Sequence, residues 1–61
     1  MKTVEIRDPP DLRYWYVGVD DFGKIDRAIG EEVQAMIGHT LEWAEGFAAA
    51  KSWTIRVIAQ A

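Results

Sequence analysis

Cysteine is absent from this sequence, and histidine and serine occur once each, as His39 and Ser52. Without cysteine there can be no disulfide and no thiolate metal centre. One histidine cannot build a histidine-based metal cluster within a single chain. Proline is confined to the pair Pro9-Pro10, and no apolar run approaches the roughly 18 residues of a membrane span. The opening Met1-Lys2-Thr3-Val4-Glu5 lacks the apolar stretch of a secretory signal. A complete, cytoplasmic gene product is the expectation, with no membrane association. Basic residues are also in the minority, ten acids against seven bases for a net charge of −3. Phosphate binding draws on Lys and Arg, so direct nucleic-acid binding is disfavoured.

What the chain does have is apolar and aromatic surface. Its hydrophobic fraction is 49%, with three Trp, two Tyr and two Phe in 61 residues, which argues against disorder. One domain, residues 1–61, is the only division such a length allows. A domain this small buries only about 60% of the surface its unfolded chain exposes. With disulfides and zinc excluded, good packing or self-association must supply its stability, and a homodimer is a candidate state.

The periodicities predict an α+β fold. Thr3 to Arg7 alternates, with Val4 and Ile6 on one side, as a half-buried strand does. Asp8-Pro9-Pro10-Asp11 ends it, because proline cannot donate a ladder hydrogen bond and pushes the preceding residue extended. Leu12 to Val19 is the strongest strand: Trp15, Val17 and Val19 lie on one face, Leu12, Tyr14 and Tyr16 on the other. Asp20-Asp21-Phe22-Gly23-Lys24 reads as a turn into a third strand, Lys24 to Ile29. The alternative starts a helix at Lys24, with Ile25, Ile29, Val33 and Ile37 at helical spacing. Gly30 would cost such a helix about 1 kcal/mol relative to Ala.

From Glu31 onward Val33, Met36, Ile37, Leu41, Ala44, Phe47 and Ala48 form one apolar helical stripe. The helix is either long and bent or broken near Gly38, with Thr40 capping its second part. Trp53 to Ala59 is the last strand, Trp53, Ile55, Val57 and Ala59 on one face and Thr54, Arg56 and Ile58 on the other. The order is β-β-β-α-β, an antiparallel sheet of about four strands with one helical layer on one face.

No catalytic constellation emerges. A triad would have to join Ser52 to His39 some three helical turns away, which argues against hydrogen-bond contact. His39 reads as a rim or hinge residue, within reach of Glu42. Asp21-Phe22-Gly23 spells the kinase magnesium motif, but no other kinase element accompanies it. The carboxylate pairs Asp20-Asp21 and Glu31-Glu32 are explained by turn chemistry and by helix-start electrostatics. No cofactor is implied.

Two surfaces are then candidates for protein binding. One is the uncovered sheet face, where Leu12, Tyr14, Tyr16 and Ile58 point outward. The tyrosines there, beside Arg7 and Arg56, also invite comparison with single-strand RNA platforms. The other is acidic: Glu31, Glu42 and Glu45 on one helix stripe, with Asp20 and Asp21 at a loop tip, where carboxylates could imitate phosphates and occupy a basic nucleic-acid-binding complex. In size, charge and lack of catalytic groups the chain is similar to phage-encoded anti-CRISPR and anti-restriction inhibitors, although no motif carries that likeness. The expected function is a non-catalytic inhibitor or adaptor that occupies a partner protein. The alternatives are a small enzyme whose site forms across a homodimer, and a single-strand nucleic-acid binder using Tyr14 and Tyr16.

Overall fold

The computed structural model describes residues 1–60; Ala61, part of the single-domain expectation, lies outside the described residues. Four strands, β1 (Lys2–Asp8), β2 (Arg13–Val19), β3 (Ile25–Ile29) and β4 (Thr54–Gln60), form one antiparallel sheet in the order β3-β2-β1-β4. The helix α1 (Leu41–Ala50) precedes β4. The β-β-β-α-β order is therefore the observed one, and residues 25–29 are strand, as the hairpin reading has it.

The inner sheet face follows from the alternation. Val4 and Ile6 of β1, Trp15, Val17 and Val19 of β2 and Ile25 of β3 are all buried. Val33, Met36, Ala44 and Ala48 close over them from the helical side. Burying each of the larger aliphatic side chains contributes roughly 1.5–3 kcal/mol of transfer free energy. Trp53 meets Trp15 at 4.5 Å between ring centroids, and Phe47 meets Trp53 at 5.7 Å, so the helix end and the sheet share one aromatic seam.

The covering layer follows the broken reading, interrupted at Gly38 with Thr40 capping the second part, rather than one continuous helix. Glu31–Met36 is a 3-10 helix, separate from α1, and Ile37 leaves the stripe to become exposed. Gly38, at φ 92°, turns the chain at a conformation other residues rarely adopt. The segment after it then lies against the β2–β3 hairpin: Gly38 N–H donates to Ile25 O, Ile25 N–H to His39 O and Leu41 N–H to Gly23 O. Those bonds replace the helical ones that a continuous helix would make. Thr40 caps α1, its Oγ1 accepting from Trp43 N–H at 3.1 Å.

Two strand boundaries also differ from the sequence reading. Pro9–Asp11 forms a 3-10 turn and Leu12 follows it in the left-handed region, φ 54°, so β2 begins at Arg13. In β4 the register shifts opposite Thr3 and Val4: Val57 pairs with Val4, but Ala59 pairs with Thr3. Ala59 therefore joins the outer face rather than Ile55 and Val57, because a bulge reverses the alternation beyond it.

Candidate interaction surfaces

The helical layer covers one face of the sheet and leaves the other open. Its rows can be read from the register. Thr54, Arg7 and Tyr14 lie side by side across β4, β1 and β2; the next row is Arg56, Glu5, Tyr16 and Ile29. Tyr14 is half exposed, Tyr16 partly so, and Ile29 is 70% exposed at the edge. The two tyrosines, two residues apart on one strand, point the same way as the alternation requires.

The face is chemically mixed. Glu5, largely buried, stands between Arg56 at 3.3 Å and Arg7 at 3.8 Å. Arg56 is thus separated from Tyr16 by Glu5 rather than lying beside the tyrosine, as a direct flanking arrangement would require. Arg27 has Asp26 at 3.9 Å. The arginines of this face are thus partly neutralised in place, Arg7 and Arg56 by Glu5 and Arg27 by Asp26.

At one end of this face lies a depression of about 260 Å³, lined by Arg7, Asp8, Pro9, Leu12, Arg13, Tyr14 and Thr54. Leu12 is its outer wall and is 77% exposed. Arg7 Nη2 donates a long bond, 3.4 Å, to Tyr14 Oη, and its guanidinium stands 5.0 Å from the ring centroid. Arg13 is engaged in the opposite direction. It donates to Asp8 at 3.0 Å, to Asp11 at 3.4 Å and to Glu32 at 3.1 Å, and lies over the Trp15 ring. These carboxylates, Asp8 first, hold the Arg13 pKa above its ordinary value. Glu32 also accepts from Trp15 Nε1 at 3.0 Å, satisfying the indole at the margin of the core. Glu32 is therefore structural, and Arg13 ties the β1–β2 turn to the 3-10 helix.

Four of the five candidate acidic residues gather at one end of the molecule. Asp20 and Asp21 line one depression there, and Glu42 and Glu45 an adjoining one that shares Lys2, Gly23 and Leu41; Glu31 stands apart from them. Glu31 starts the 3-10 helix beside the Arg13 end of the sheet, whereas Glu42 and Glu45 belong to α1. The break at Gly38 removes the shared stripe on which all three were expected. Glu42 and Glu45 instead line a depression with Lys2, Phe22, Gly23, Thr40 and Leu41. Asp20 and Asp21 lie at the far end of β2 from Arg13, about 20 Å along the strand. The Asp20 carboxylate holds the turn together, its Oδ1 accepting from Phe22 N–H at 2.8 Å and Lys24 N–H at 3.0 Å. Asp21 accepts from the Met1 ammonium at 2.7 Å, and that bond and charge lower its pKa below the ordinary carboxylate value.

His39 and Ser52 stand at opposite ends of α1. His39 stacks on Trp43, 3.8 Å between centroids, rather than pairing with Glu42. Among the described residues no three His, Asp or Glu side chains are placed to hold a metal ion. No helix there is long and apolar enough to cross a membrane. Exposed residues that escaped the sequence reading include Phe22, Ile29, Trp43 and Val57. Phe22 could have been found, since an apolar residue inside Asp-Asp-Phe-Gly must ride on the turn and point to solvent.

Comparison with family models, with curated proteins and with solved structures found no match.

Proposed function

We propose that this chain is a non-catalytic protein-binding module, an inhibitor or adaptor that docks a partner protein on the open sheet face. The observation that carries the reading is Leu12. A branched side chain in the left-handed region costs roughly 1–2 kcal/mol, and Leu12 recovers little of that by burial because it is 77% exposed. Glycine or asparagine would serve the turn better. Backbone strain clusters at functional sites, and an exposed apolar residue held in it motivates this reading. Leu12 also continues into Tyr14, Tyr16 and Ile29, so the strained residue begins a run of apolar area across the uncovered face.

The phosphate-imitation reading loses Glu31, which belongs to the separate 3-10 helix, but keeps Asp20, Asp21, Glu42 and Glu45 in adjoining depressions, with Asp20 Oδ1 also holding its turn. The test of the proposal is affinity capture from a lysate with the wild-type chain and with the Tyr14→Ala, Tyr16→Ala double variant. The double variant is expected to keep the circular dichroism spectrum and lose the captured protein. Undiminished capture of the same protein would refute the proposal.

A further inference from the structure

Resting on the reading of the open face as a docking surface, we infer that the depression between Leu12 and Tyr14 receives an acidic, apolar segment of the partner protein. The segment carries an aliphatic side chain and, two residues on, a carboxylate.

The depression as a whole holds about 260 Å³, and its apolar side is walled by Pro9, Leu12 and the Tyr14 ring. That is room for one aliphatic side chain. The cleft is open on one side, so it fits a side chain presented from a passing strand better than an engulfed ligand.

The polar half is decided by which guanidinium is available. Both Arg7 and Arg13 line the cleft and are about half exposed. Arg13 is already bound to Asp8, Asp11 and Glu32 at 3.0–3.4 Å. Asp8 lines the wall, but its carboxylate is taken by Arg13. Arg7 is less committed. Its Nε has Glu5 only at 3.8 Å, beyond hydrogen-bonding distance, and Glu5 is shared with the closer Arg56. The other contact of Arg7 is the long bond to Tyr14 Oη. A planar fork of donors with one weak acceptor matches an incoming carboxylate. Thr54, beside Arg7 in the row, adds a hydroxyl at the rim.

The spacing follows from strand geometry. In an extended segment, side chains two residues apart share a face and stand about 7 Å apart. Arg7 lines the same depression, with its guanidinium 5.0 Å from the Tyr14 centroid, so the second side chain of a segment seated on Pro9, Leu12 and Tyr14 is the one proposed to meet it.

The experiment is a two-dimensional NMR titration of the intact chain with acetyl-Leu-Ser-Glu-amide and with acetyl-Leu-Ser-Gln-amide. The arginine Nε–H resonances are followed together with the backbone. The glutamate peptide is expected to shift Leu12, Tyr14, Thr54 and the Arg7 Nε–H saturably, and to bind about tenfold more tightly than the glutamine peptide. Arg7→Gln, on the exposed face, should fold normally, keep weak binding of both peptides and lose the difference between them. Equal binding of the two peptides, shifts centred on Arg27 or Arg56, or no shift in Leu12 and Tyr14 would each overturn the inference. Tighter binding of N-acetylleucine, which offers a terminal carboxylate, would overturn the assignment to an acidic side chain. If Tyr14→Ala, Tyr16→Ala abolishes partner capture while Arg7→Gln leaves it intact, this inference fails and the docking face stands. If capture survives the tyrosine changes, the docking face itself fails.

Discussion

At the scale of single residues, a few side chains are held by contacts that composition alone does not announce. Gly30 is the clearest. Its φ is 118°, and a side chain there would collide with the Trp15 ring. Gly30→Ala is expected to destabilise the fold by about 2–3 kcal/mol, from backbone strain and displacement of the indole. A urea midpoint unchanged from wild type would contradict that contact. Asp21 offers a second local test. Its carboxyl pKa lies below the ordinary 3.8 because of the Met1 ammonium. A depressed folded pKa means that the contribution is present above the ordinary value and is lost as pH falls through the folded one. Both partners are well exposed, so the effect on stability is small. Acetylation of Met1 should raise the Asp21 pKa toward its ordinary value in an NMR titration, and an unmoved midpoint would show that the pairing is absent.

At the scale of elements, strands were legible and the covering layer was only half so. Val4 and Ile6, and Trp15, Val17 and Val19, alternate in a way that only a half-buried sheet explains, and all five are buried. The helical pattern was less discriminating. Val33, Met36 and Ala44 do pack on the core, but the same spacing drew in Ile37, which is 45% exposed. Periodicity records which residues are apolar. It does not record that Gly38 bends the chain so that residues 38–41 hydrogen-bond to the hairpin. The Ala59 reversal was equally hidden, since a bulge depends on the partner strand. The broken helix makes a distinguishing prediction. Ile37→Ala should cost less than about 1 kcal/mol, against the roughly 2–5 kcal/mol of a core position. Thr40→Ala should cost about 1 kcal/mol through loss of the cap on α1. Thermal or urea unfolding of the two variants checks both values, and a core-sized loss at Ile37 would favour one continuous helix.

At the scale of the whole molecule, a sheet with one covered face divides the chain into a core and an open surface. The candidate face was legible because β2 is apolar on both sides, which assigns Tyr14 and Tyr16 outward. Its partial neutralisation by Glu5, and the strained Leu12 at its end, were not legible, since both arise from cross-strand pairing and from backbone conformation. Under the proposed docking role, Leu12 serves contact at the expense of the fold. Replacing Leu12 by glycine, and measuring unfolding free energy and partner capture on the same protein, tests this most directly. The expected variant is at least as stable as wild type, with a gain of up to about 1 kcal/mol, and captures the partner poorly. A variant that is clearly less stable, or one that captures as well as wild type, would contradict the role given to Leu12.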